Sequence, residues 1–125
     1  ASKYAIEGYC EALRLETKGF GIKTVVIEPG DFATAITSQR KTVSDPEAYK
    51  VYKSYAVSLA SIEKDEACGL KPEYLAAKIS RIVSCRNPHY RYIIATLEQK
   101  LSVTLKTILP APLFARIISS YYHLK

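Results

Sequence analysis

The chain has 125 residues, 48 % hydrophobic and 24 % charged, with a formal net charge of +6. This is enough for one globular domain of ordinary size and mixture. Its positive residues are spread without a run of five or six, which argues against nucleic acid and leaves a phosphate-bearing cofactor or a membrane surface as the anionic partner to look for. No run of 18 apolar residues exists, so no membrane-spanning helix is expected, and no signal peptide is visible. There is no methionine, and the chain opens inside a helical pattern. It is therefore expected to be the carboxyl-terminal part of a longer protein. Cys10, Cys68 and Cys85 are odd in number and form no CxxC pair. They read as free thiols of a reducing compartment, hence a cytoplasmic location, and as buried small hydrophobes rather than nucleophiles. His89 and His123 lack metal-ligand spacing and read as surface residues, so no metal site is expected.

In chain order, Ala1 to Lys18 is a helix. Ala5/Ile6, Tyr9 and Ala12/Leu13 recur at helical spacing, and Gly19 and Gly21 end the pattern. Gly8 is expected to permit a close approach of this helix to a sheet. The run Thr24 to Ile27 is apolar on both faces and reads as a strand buried inside a parallel sheet. Pro29-Gly30 stops it, and Asp31 to Thr34 form the loop beyond its end. Ligands of open α/β sheets bind beyond the carboxyl ends of the strands, so this loop is the first candidate site. Thr37 to Ser44 is polar and basic and is expected to be mobile. Asp45-Pro46-Glu47 starts a helix that carries Tyr49, Val51, Tyr52, Tyr55, Leu59 and Ile62. That aromatic stripe fits core packing or, alternatively, the lining of a substrate cavity.

Cys68-Gly69 breaks this helix, and Lys71-Pro72-Glu73 starts another with Leu75, Ile79, Ile82 and Val83 on its apolar face. Arg86 to His89 is a turn, and Tyr90 to Ala95 a second strand. Two short helices follow, one on each side of Pro110-Ala111-Pro112. The last, Leu113 to Leu124, has a strong apolar face suited to packing on its own domain, covering a substrate cleft, lying on a membrane surface or meeting a partner subunit. The expected fold is α/β, the carboxyl-terminal part of a doubly wound, Rossmann-type parallel sheet over residues 1–95, with a helical extension over 96–125.

Two motifs add to this order. Ala1-Ser2-Lys3-Tyr4-Ala5-Ile6-Glu7-Gly8 resembles the active-site helix of the short-chain dehydrogenases/reductases, written Tyr-x-Ala-Ser-Lys-x-Ala-x-x-Gly. Everything from the alanine onward is present; the tyrosine would stand two positions before Ala1. Pro29-Gly30-Asp31-Phe32-Ala33-Thr34 resembles the Pro-Gly-x-x-x-Thr element of the same family, at a fitting distance. The tail resembles the retinol-dehydrogenase-like and 17β-hydroxysteroid-dehydrogenase-like branch.

The resemblance implies an oxidoreductase that moves a hydride between NAD or NADP and an alcohol/ketone pair, with a hydrophobic substrate. Ketone reduction needs a proton donor on the carbonyl oxygen, and a tyrosine near pKa 10 is poorly poised for that at neutral pH. An ammonium one helical turn away favours the phenolate. The resemblance therefore gives Lys3 the catalytic role, together with hydrogen bonds to the ribose hydroxyls. It places Pro29, Gly30 and Phe32 around the nicotinamide and the Thr34 hydroxyl on its carboxamide or the pyrophosphate. A homo-oligomer through helix 1–18 is expected, whereas a membrane-surface role is not favoured. The fragment alone is expected to be inactive and only marginally stable. The alternative reading is a non-catalytic relative that kept dinucleotide binding or dimerisation.

Overall fold

A computed structural model describes residues 1–42, 47 and 51–124. Among them the elements run α1 (Ser2–Thr17), a 3-10 turn (Lys18–Phe20), β1 (Val26–Pro29), α2 (Tyr55–Ala67), α3 (Pro72–Val83), β2 (Arg91–Ile94), α4 (Leu97–Ile108) and α5 (Ala111–Tyr121). This is an α/β arrangement, and the two strands among the described residues pair in parallel. The chain divides into two compact units, Ala1–Pro29 with Glu73–Ile94, and Gly30–Pro72 with Ala95–Lys125.

In the first unit, Val26 to Pro29 align in register with Arg91 to Ile94. Parallel neighbours require a long crossover, and residues 30–90 supply it. The strand expected to be buried on both faces is half-buried at Val26, Ile27 and Glu28 and exposed at Pro29. The reason is that β1 has a single hydrogen-bonded neighbour among the described residues. Glu28 and Arg91, two register positions apart across the strand pair, form an ion pair through the guanidinium Nε. Helix α1 is tied to the strands by Arg14, which donates to the Thr24 carbonyl at 3.1 Å and lies 5.0 Å from the centre of the Tyr90 ring. The Tyr90 hydroxyl in turn donates to the Glu7 carbonyl. Gly21, at φ 72°, ends the 3-10 turn in the left-handed region that glycine adopts without steric cost. The close approach expected at Gly8 is not made: a Cβ there would meet nothing within 4 Å.

In the second unit, the chain beyond β1 is held against the α2–α3 connection. Leu70 donates to the Asp31 carbonyl and Ala33 to the Leu70 carbonyl, both at 3.0 Å, so Phe32 and Leu70 bridge like parallel strands. Phe32 is buried, at 8 % exposure. Ser58, the buried polar residue of α2, donates to the Tyr122 carbonyl at 2.6 Å and fixes the end of α5. Helices α4 and α5 pack on one another; Pro110 stands between them, and Pro112 is already the second residue of α5.

Two expectations are corrected here. The helix read from Asp45 onward is not continuous. Asp45, Pro46 and Tyr49 lie outside the described residues, while Lys53 and Ser54 form a turn and α2 begins at Tyr55. Val51 and Tyr52 are 75 % and 70 % exposed, so neither packs in a core nor lines a cavity. Cys68 and Cys85 are likewise exposed rather than buried, because both stand just past the ends of helices.

A Cβ on Gly69 would stand 2.6 Å from the Asp31 carbonyl oxygen and 2.8 Å from the Phe32 nitrogen. Both are backbone atoms that cannot swing aside. Gly69→Ala is therefore expected to destabilise the chain by about 1–3 kcal/mol, measured by denaturant unfolding. Gly8→Ala, in open space within a helix, should stabilise it by about 0.5–1 kcal/mol.

Candidate active site

The site is built outward from the Pro-Gly turn. Pro29 ends β1 opposite Ile94, and Gly30 opens the loop of the second unit. A Cβ on Gly30 would meet the Gln99 side chain and stand 2.7 Å from the Ala95 Cβ, so only glycine fits. Gln99 is the third residue of α4. With Thr96 it forms a reciprocal cap: the Gln99 amide donates to Thr96 Oγ1 at 3.4 Å, and the Thr96 amide donates to Gln99 Oε1 at 3.2 Å. The remaining end of the Gln99 side chain, Nε2, donates to Asp31 Oδ2 at 2.5 Å. Sequence reading missed this tie between the loop and α4. The Thr-x-x-Gln pattern announces the cap, but nothing in it announces Asp31.

Farther along the loop, Thr34 is exposed, and its Oγ1 accepts from the Ile36 amide at 3.4 Å, opening a turn. The following segment, expected to be mobile, is anchored within the described residues. Glu66 of α2 accepts from Thr37 Oγ1 at 2.5 Å and pairs with Arg40 at 2.6 Å. The Thr37 hydrogen bond above all, opposed by burial and aided by the hydrogen bond and charge of Arg40, holds the Glu66 carboxyl below its ordinary value.

Beside the loop lies a cavity of about 400 Å³ within the same unit. Its walls include Leu101 and Leu105 of α4 and Phe114, Ile117 and Ile118 of α5, and Asp31 and Gln99 reach it from the loop side. A mostly apolar cavity of this size with a few polar groups at one side suits a small organic ligand. The last helix packs on α4 and forms one wall of this cavity. Tyr121 donates to the Asp65 carboxylate at 3.2 Å, and that bond and charge push its phenol above the ordinary value. Burial, with the charges of Asp65 and Asp31, raises Tyr122 as well. Both phenols are therefore neutral donors at physiological pH.

Of the residues expected to act, Lys3 stands exposed in the first turn of α1 and Pro29 ends β1, both in the first unit. Gly30, Phe32 and Thr34 share the loop of the second unit. Phe32 is buried, whereas Thr34 is exposed. His89 and His123 are exposed, as expected. No helix among the described residues is long and apolar enough to cross a membrane, and no group of three His, Cys, Asp or Glu among them could hold a metal ion.

A parallel strand pair with a helical crossover, and a Pro-Gly loop beyond the strand end, define a part of a doubly wound α/β fold. Comparison with known proteins narrows this. The chain is 37 % identical, over its whole length, to a 3-ketodihydrosphingosine reductase of Bacteroides thetaiotaomicron, of which it spans 47 %. It is 31 % identical over 76 % of its length to an NADPH-dependent 3-dehydrocapnine reductase of Ornithobacterium rhinotracheale, of which it spans 34 %. It is 48 % identical over 40 residues to human retinol dehydrogenase 16, which is 32 % of this chain and 13 % of that protein. The chain belongs to the short-chain dehydrogenases/reductases, and it spans less than half the length of these curated relatives. No family model matches it. No solved structure matches it either.

The Glu66 anchor makes a pH prediction. A carboxyl whose folded value is depressed contributes stability above its ordinary value and loses it as pH falls through the lowered one. Amide exchange at Gln39 and Arg40, corrected for intrinsic rates, should therefore rise on acidification below about pH 4. Glu66→Gln should show the raised exchange already at neutral pH.

Proposed function

We propose that the protein to which this chain belongs reduces a ketone carried on a long apolar chain, using NADH or NADPH. The observation that carries the reading is the cavity walled by α4 and α5, which opens beside the loop that follows β1. Two relatives support the direction, since both are named as reductases, of 3-ketodihydrosphingosine and of 3-dehydrocapnine.

The residues present suit a dinucleotide. Thr34 is an exposed hydroxyl beyond the carboxyl end of a strand, and Lys3 is an exposed ammonium at the start of α1. When bound, the nicotinamide supplies the hydride. In this reading Thr34 and the backbone of Pro29, Gly30 and Phe32 orient the ring, which is the positioning that hydride transfer depends on. Lys3 binds the ribose hydroxyls. It also lowers the pKa of a tyrosine one turn upstream, so that a proton can reach the carbonyl oxygen near neutral pH. The apolar residues of α4 and α5 take the chain of the substrate and exclude water from it. The exposed Tyr4, Ile6, Tyr9 and Leu15 of α1 support a second role for that helix, as the contact between two subunits.

In the full-length protein, Lys3→Ala is expected to lower kcat by about 10²- to 10⁴-fold with unchanged circular dichroism. Turnover near the wild-type level would remove Lys3 from the mechanism. Ile118→Trp, which fills the cavity, should raise KM for a ketone on a long alkyl chain and leave KM for a short-chain ketone within about twofold. Equal effects on both would show that the cavity does not hold the chain.

A further inference from the structure

The Gln99 side chain does more than cap a helix. Its Oε1 completes the capping box with the Thr96 amide, and its Nε2 reaches Asp31, 68 residues away in sequence. Glutamate would serve the cap equally well, since either residue fills the third position of a capping box, and a negative charge suits a helix amino terminus. Only the amide can also donate to a carboxylate. The same side chain fills the space that a Cβ on Gly30 would occupy, so it touches the loop at two consecutive residues, Gly30 and Asp31. It lines the cavity as well.

We infer that Gln99 is a positioning residue: through Asp31 it sets the loop Gly30–Thr34 against the cavity wall, and so fixes where the dinucleotide and the substrate chain meet. This rests on the functional reading given above. The cap supplies the rigidity. Thr96 holds the Gln99 amide by its oxygen, which leaves the nitrogen facing the carboxylate in one orientation. The loop is then held from both sides, by the Leu70 backbone and by Gln99.

The full-length protein tests this with two variants. Gln99→Glu keeps the cap but sets two carboxylates against each other. It should leave the melting temperature within a few degrees of wild type and raise KM for the dinucleotide about tenfold. Adding Asp31→Asn to Gln99→Glu restores one donor and one acceptor with the order reversed, and should return KM to within about twofold of wild type. A purely structural cap predicts that Gln99→Glu is silent, and a silent variant overturns the inference. So does a loss that Asp31→Asn does not relieve. Amide exchange across Gly30–Thr34 gives a second readout that needs no ligand: faster in the single variant, restored in the double. If the wild-type protein binds no dinucleotide, the functional reading fails. The exchange pattern then still decides whether Gln99 holds the loop.

Discussion

The structure of the second unit depends on one steric constraint: the backbone of Asp31 and Phe32 lies against the backbone of Gly69 with no room for a side chain between them. Hydrogen bonds to Leu70 on both sides of Phe32 need this approach, and the burial of Phe32 follows from it. A loop held through its main chain leaves its side chains free to face outward or to be specified one by one. Asp31 is bound to Gln99 and Thr34 is exposed. The candidate site is thus a rigid backbone track with few committed side chains, which suits the binding of a flat, polar ring by amide and hydroxyl groups.

Electrostatics reinforce this arrangement unevenly. The ion pairs of the two units are partly exposed, and pairs of that kind contribute little to net stability. Their effect is to fix geometry. Glu28 and Arg91 join the two strands side by side, while Glu66 collects Thr37 and Arg40 and so turns a polar segment back onto α2. Inside the cavity the logic differs. Asp65 accepts from Tyr121 and disfavours ionisation of both Tyr121 and Tyr122. The phenols at the end of α5 therefore stay uncharged beside the apolar space, with the Tyr121 proton committed to Asp65.

Much of this was legible in the residues, and what was not has a common cause. Helix α1, the breaks at Cys68-Gly69 and Pro110-Ala111-Pro112, and the strand ending at Pro29 are local features, written in periodicity and in the stereochemistry of glycine and proline. The loop beyond Pro29 could be singled out because sheet topology names that position in advance. Burial and pairing could not be read in this way. The apolar run Thr24 to Ile27 carries no information about how many neighbours its strand has, and here it has one among the described residues. Tyr52 and the tyrosines at 121 and 122 look alike as sequence, yet Tyr52 is exposed while Tyr121 and Tyr122 line the cavity. The anchors on Glu66 and Gln99 join residues 26 to 68 positions apart, and a pairing at that range leaves no local trace.

The Thr-x-x-Gln box shows how far a local motif can extend its reach. A capping box spans four residues and stabilises one helix end by about a kilocalorie. By choosing glutamine over glutamate at its last position, this chain keeps a donor that the cap leaves unused, and the geometry directs that donor at Asp31. The start of α4 is thereby tied to the loop that Gly69 already pins from the other side. Helix α4 also supplies the apolar wall of the cavity through Leu101 and Leu105, one and two turns farther on. Any displacement of α4 thus moves the cavity wall and pulls on the loop through the same side chain. The cavity wall and the loop beyond β1 are, on this geometry, set by a single element rather than by two that must be aligned separately.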